Sequence, residues 1–239
     1  MPVARGVLKG TSVGTNLIVS RNPALRYLRD QALTHLLGSS FVQKMLLRKQ
    51  SQLDVNYRKS SLSRSYKGPA KARQPYARTE APSLKDQLSF RAAPEAGDRV
   101  PQARCRRYLD GSETDLFREF QGTRCTLLLF DGPAPSAAGS ARLVGIARRV
   151  DTLLGDEIKT CIVVSHKPGS LDWGGCILLD TERELHETYG ARTETLYLIR
   201  PDGYVGFRGQ PVREDKLLGY LGNLFLLDDT SHALAAPTS

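Results

Sequence analysis

The chain has 239 residues, enough for one or two domains, and 40% of them are hydrophobic and 25% charged. No apolar run approaches the ~20 residues that span a bilayer, and the N-terminus MPVARGVLKG lacks the apolar stretch of a secretory signal, so a membrane-spanning or secreted protein is not expected. The net charge of +9 is uneven: residues 1–91 hold 17 Lys/Arg against 4 Asp/Glu, and residues 92–239 hold 17 against 21. Such a basic half fits either a nucleic-acid binder or a surface that lies against a more acidic domain. The second reading is preferred, because only Tyr57, Tyr66 and Tyr76 interleave the basic residues and no RGG repeat is present. Cys105, Cys125, Cys161 and Cys176 are scattered without a CxxC, as expected of reduced thiols in a cytoplasmic protein.

Residues 1–53 read as helices. Asn22-Pro23 is a start signal, with Asn as N-cap and Pro at the first helical position. Leu25, Leu28, Ala32, Leu33, Leu36 and Leu37 follow at helical spacing, and Gly38 closes the run. A second helix is expected from Ser40 to about Gln50, with Phe41, Val42, Met45 and Leu46 inward, and a looser one through Val7, Leu8 and Val13. These apolar faces make a marginal core alone and require a partner surface. Residues 54–96 are polar, basic and dotted with Pro, which predicts a mostly irregular linker.

From residue 97 the pattern changes to α/β. Strands are expected at Arg104–Leu109, Thr123–Phe130 and Ile158–Val164, the last two apolar enough to be central. Ser112-x-x-Asp115 suggests a capped short helix through Phe120, and Ser136 to Leu154 an amphipathic one. Trp173 to Leu179 reads as a loop with a short extension, and Thr181-x-x-Glu184 opens a helix that ends at Tyr189-Gly190. Then Leu196–Ile199 and Tyr204–Phe207 flank Arg200-Pro201-Asp202-Gly203, a hairpin turn in which Pro presets φ and Gly supplies the positive φ. A last helix carries Leu217, Leu218, Leu221, Leu224 and Phe225 on one side. Strand, helix, strand, helix, hairpin, helix is the order of a thioredoxin-like α/β domain, here with an extra β–α pair in front. The expected layout is a helical segment at 1–53, a linker at 54–96, this domain at 97–230 and a disordered tail at 231–239.

Four stretches carry a resemblance to one family: Asn22-Pro23-Ala24-Leu25-Arg26, SQLDVNYRKSSLS at 51–63, Ala96-Gly97-Asp98-Arg99-Val100-Pro101, and Leu198-Ile199-Arg200-Pro201-Asp202-Gly203-Tyr204-Val205. In this order they resemble the C-terminal portion of the FAD-dependent aromatic-ring hydroxylases, whose last domain is thioredoxin-like. The resemblance implies FAD and NAD(P)H as cofactors and insertion of one oxygen atom from O₂ into an aromatic ring. It also implies contact between Asp54, Tyr57 and Arg58 and a flavin domain. Yet no GxGxxG follows a first strand, and the family's second flavin motif is missing, since Gly97-Asp98 has no His nearby. The expectation is a catalytically incomplete piece of such a monooxygenase, from a truncated or split gene, that does not hold FAD tightly alone. The alternative is a non-catalytic interaction or dimerisation module partnering a separate flavin-binding subunit or a second copy of itself.

Thiol chemistry is not expected. A thioredoxin places a reactive Cys where the first central strand meets its helix and a cis-proline facing it. Here those places read Asp131-Gly132-Pro133-Ala134-Pro135-Ser136 and Thr193-Glu194-Thr195. Cys125 and Cys161 fall in apolar strands, where Cys acts as a small hydrophobe. Cys161, His166 and Cys176 do not make a credible metal set, for want of a fourth ligand. His186, among Glu182, Glu184 and Glu187, reads as a solvated surface residue, and Gly174-Gly175 as a turn. No catalytic, cofactor-binding or metal residue is assigned.

Overall fold

The structure, a computed structural model, describes residues 56–67, 83–167 and 171–226. The helices expected in 1–53, Asp54, Tyr76 and the tail lie outside these residues. All the described residues belong to one compact unit that begins at Asn56. Its elements, in chain order, are β1 (Arg64–Lys67), α1 (Leu84–Ala92), β2 (Arg104–Arg107), β3 (Glu113–Asp115), α2 (Leu116–Glu119), β4 (Cys125–Phe130), α3 (Ala137–Leu154), β5 (Ile158–Val164), β6 (Cys176–Leu179), α4 (Glu184–Thr188), β7 (Thr195–Ile199), β8 (Val205–Gln210) and α5 (Glu214–Phe225).

The strands form one mixed sheet in the order β1-β8-β7-β4-β5-β6-β2-β3. β4 pairs parallel with β5, which the crossover helix α3 permits, and antiparallel with β7, the first strand of the hairpin β7–β8. This core, with α4 before the hairpin and α5 after it, is the thioredoxin-like arrangement. All six residues of β4 are buried, because helices cover both faces of the sheet. One core packs Phe90 of α1, Leu116 of α2 and Leu185 of α4 against Leu128, Phe130, Cys161 and Tyr197. The other packs Leu143, Ala147 and Val150 of α3 and Leu217 and Leu221 of α5 against Leu127, Leu129, Ile162 and Leu196. Each such Leu or Val contributes about 1.5–3 kcal/mol on burial. Among the described residues no helix is long and apolar enough to cross a membrane.

Several local expectations need correction. The stretch 54–96 is not simply irregular: β1 pairs parallel with β8, and α1 has a full capping box in which Ser83 and Asp86 bond each other's backbone N–H. β1 escapes a sequence reading because RSYK has no apolar alternation, and its pairing partner is 143 residues away in register, Arg64 opposite Phe207. Ser112 does not cap α2. Its hydroxyl turns back to Asp110 at 2.7 Å, and Asp115 is the N-cap, accepting from Arg118 N at 3.1 Å. Likewise α4 starts at Glu184 rather than at Thr181, and Asp180 accepts the His186 N–H at 2.8 Å.

The sequence stretches around Tyr57, Gly97 and Tyr204 meet in space. Tyr57 N donates to Gly97 O at 2.6 Å, and Gly97 N donates to Val205 O at 2.7 Å. Arg58 grips Asp98 with two bonds of 2.6 and 2.8 Å, while the Tyr57 ring stands edge-on to Tyr204 at 4.8 Å. Gly97 has φ +92°, and a Cβ there would sit 2.3 Å from Arg58 N. Gly97→Ala therefore combines backbone strain of about 1–3 kcal/mol with a backbone clash. The expected result is a lower thermal midpoint and faster tryptic cleavage after Arg58 and Lys59; an unchanged digestion pattern would show that this junction does not anchor 56–63.

Candidate functional site

The C-terminal ends of β4 and β5 are where an α/β sheet presents its chemistry. β4 ends at Phe130 and the chain turns through Asp131 and Gly132, which has φ +77°. A Cβ on Gly132 would lie 3.0 Å from Thr193 C, so the two positions that a thioredoxin uses do face each other here. Neither carries the thiol machinery. At the first, Asp131 accepts the Ser165 N–H at 3.1 Å and faces His186 Nε2 at 3.1 Å. At the second, the Glu194 carboxylate is paired with Arg142 of α3 and abuts the first turn of that helix beside Gly139. Ser136 caps α3 by accepting from Gly139 N at 3.0 Å.

His186 is the largest departure from the sequence reading. It is only 4% exposed, not solvated. Its Nδ1 faces Asp180 at 2.7 Å and its Nε2 faces Asp131 at 3.1 Å, and its ring stands edge-on to Phe130 at 5.3 Å. Burial by itself would lower the imidazole pKa, but the bonds to Asp131 and Asp180 and their charges outweigh it, and the pKa is raised. Both ring nitrogens are committed to carboxylates, so His186 has no nitrogen left to take a proton from a substrate. The Asp131–His186–Asp180 set is a buried ion cluster that ties β4, β6 and α4 together.

A second buried carboxylate lies on the same face of the sheet. Glu119, 2% exposed, accepts from Lys159 Nζ at 2.6 Å, Arg107 Nε at 2.8 Å and Thr114 Oγ1 at 3.1 Å. Burial pushes its pKa up, and these three donors more than reverse that, so it is lowered. The same pair raises the Lys159 pKa against the opposing effect of burial. No periodicity announces Glu119, Asp180 or His186 as interior residues; the one visible hint is a charged residue at the very end of a strongly apolar run.

The remaining sequence candidates fall as follows. Tyr57 and Arg58 are engaged with Tyr204, Asp98 and Glu95 inside the domain, as described above. Tyr66 lies against the Arg213 guanidinium, 5.6 Å from ring centre to Cζ. Cys161 and Cys176 come together in register on β5 and β6, but His166 lines a cleft of about 700 Å³ beside α3, on the other face of the sheet from Cys161. Among the described residues no group of His, Cys, Asp and Glu could hold a metal ion.

No family model matches the chain, and no curated protein matches it in sequence. Solved structures do overlap it. A thiol peroxidase from Chromobacterium violaceum is 15% identical with a TM-score of 0.45, covering 55% of this chain and 88% of that one. A protein assigned as the thiol:disulfide interchange protein DsbE of Chlorobium tepidum is 14% identical with a TM-score of 0.45, covering 54% and 96%. A 2-Cys peroxiredoxin from Plasmodium vivax is 18% identical with a TM-score of 0.42, covering 54% and 94%. The overlap covers about half of the chain, and it gives no assignment to the flavoprotein hydroxylases. The fold itself rests on the strand order and pairing given above.

Proposed function

We propose that this chain is a non-catalytic thioredoxin-like module that works with an FAD-dependent, NAD(P)H-using aromatic monooxygenase centre carried elsewhere. The observation that carries the reading is the closed state of the two thioredoxin positions. Asp131 and Glu194 occupy them, and each is already satisfied by an internal cation, His186 and Arg142. A site whose charges are all paired internally has nothing to offer a substrate, but it makes a rigid end to the sheet. The association with a flavin enzyme comes from the resemblance of the stretches at 51–63, 96–101 and 198–205, which meet at the Tyr57–Gly97–Tyr204 junction.

The N-terminus of α3, the helix after the first central strand, does not fit FAD. A pyrophosphate would need the N-terminus of a helix following a strand. At α3 that position is capped by Ser136 and faced by the Glu194 carboxylate, which would repel a second anion. No flavin step is therefore assigned to any residue of this domain. In a titration of the purified chain with FAD, followed by flavin fluorescence and visible absorption, no stoichiometric uptake is expected, and the protein should not reduce insulin disulfides. Stoichiometric binding, or turnover of a disulfide substrate, would overturn the reading.

A further inference from the structure

Cys161 and Cys176 are direct register partners on the adjacent parallel strands β5 and β6. Register partners point to the same face of a sheet, with strands about 4.8 Å apart. That separation lies within the ~4.4–6.8 Å between Cα atoms that a disulfide accepts. Both side chains sit on the same face of the sheet, Cys161 inside the core around Phe130 and Cys176 packed against it. They are also unequal. Cys161 is fully buried, and burial drives its pKa well up. Cys176 is partly exposed, and its pKa is lowered, first by the hydrogen bond from Cys161 and then, against burial and Glu119, by the charges of Lys159 and Arg107. The other two cysteines are held as thiols: burial pushes Cys105 up to about 12 and Cys125 up to about 11. A partly exposed cysteine whose pKa is lowered by nearby cations, with a second thiol in bonding range, is the arrangement of a reactive cysteine and its resolving partner.

We propose that Cys161 and Cys176 form a redox-responsive dithiol that a hydroperoxide converts into an intrachain disulfide. The Cys176 thiolate attacks the terminal peroxide oxygen, the O–O bond breaks, and the departing alkoxide or hydroxide takes up a proton, leaving a sulfenic acid on Cys176. The Cys161 sulfur then gives up its proton and attacks the Cys176 sulfur. The S–O bond breaks, and the hydroxide leaves with that proton as water. The two thiols together supply the two electrons that reduce the peroxide. This site lies between β5 and β6, with Cys161 opposite Leu128, three residues before Asp131, and stands independently of the flavin reading. It responds once per reduction and needs an external thiol reductant to reset.

The test uses the full chain, treated in its folded state with a small excess of hydrogen peroxide, then denatured, alkylated with N-ethylmaleimide and digested with trypsin. Both cysteines fall on one tryptic peptide, 160–183, because Lys167 precedes Pro168 and is not cut. The expected product is that peptide unalkylated and lighter by two hydrogens, restored by dithiothreitol, with Cys105 and Cys125 alkylated as in the untreated protein. Cys161→Ser should leave a sulfenic acid on Cys176 that dimedone traps, whereas Cys176→Ser should abolish both products. Peptide 160–183 recovered with both thiols alkylated, or a disulfide joining a different pair, would overturn the proposal. The wild-type mapping decides even if a variant folds poorly.

Discussion

Arg208→Met is expected to remove about 3–5 kcal/mol of stability, the cost of breaking a buried charge network by deleting one partner. Arg208 lies on the hairpin strand β8 and is completely buried. Its Nη1 donates to Phe90 O at 2.8 Å, Ala93 O at 3.1 Å and Pro94 O at 2.8 Å, its Nε to Ser65 Oγ at 3.2 Å, and its Nη2 to Glu95 at 3.2 Å. The guanidinium also stacks over the Phe90 ring at 4.4 Å. These carbonyls are the ones α1 leaves unpaired at its C-terminal end, where a cation is also favoured by the helix dipole. Methionine keeps most of the volume and removes every donor. Each carbonyl left without a partner then costs about 1–3 kcal/mol, less what water recovers. Lysine restores the charge but not the fork, so Arg208→Lys should recover only part of the loss. Urea unfolding monitored by circular dichroism measures the difference, and proteolysis of 83–96 should accelerate in step. A loss below about 1 kcal/mol would mean that the network is not a determinant of stability.

The Asp131–His186–Asp180 cluster should make stability depend on pH. The folded pKa of His186 is raised above its unfolded value of about 6.5. Folding therefore favours the protonated ring. That contribution is fully present below about pH 6.5 and is lost as pH rises through the folded value. Above it, a neutral imidazole can donate to only one of its two carboxylates and turns a lone pair toward the other. The thermal midpoint of the wild type should therefore fall across this window. His186→Gln should be less stable by about 3–5 kcal/mol at the acid end, because two buried carboxylates lose their cation. The deficit should then narrow as pH rises. Asp131→Asn keeps the fold and lowers the His186 pKa, shifting the fall to lower pH, which a proton NMR titration of the imidazole reads directly. Parallel pH profiles for the wild type and His186→Gln would remove His186 as the source.

Both effects arise from residues whose importance was invisible along the chain, and the reason is geometric. Periodicity reports which face of an element is apolar. It located β4, α3, β5, the hairpin and α5 well, because their burial follows spacing of 2 or 3.6 residues. The bounds of β5 agree with its expected span, and α3 runs Ala137–Leu154 where Ser136 to Leu154 was expected. Turn chemistry was equally readable: Gly203, with φ +78°, takes the positive angle the hairpin turn requires. The absence of a Cys at the first thioredoxin position and of a Pro at the second was also evident from residue identity.

Tertiary structure alone decided what replaced it. His186 looked solvated because its sequence neighbours are acidic, yet α4 turns it inward between Asp131 and Asp180, which lie 55 and 6 residues away. Arg208 lies inside an ordinary β-strand, and its acceptors lie more than 110 residues earlier, in β1, in α1 and in the loop after α1. β1 carries no strand signal and is recruited by the open edge of β8. Cys161 and Cys176 are 15 positions apart in the sequence and became neighbours only through parallel pairing of β5 with β6. Local sequence determines where apolar surface must be hidden. Which charges are hidden with it depends on partners that folding brings from distant parts of the chain, because a buried charge survives only where its counter-charge is delivered to the same place.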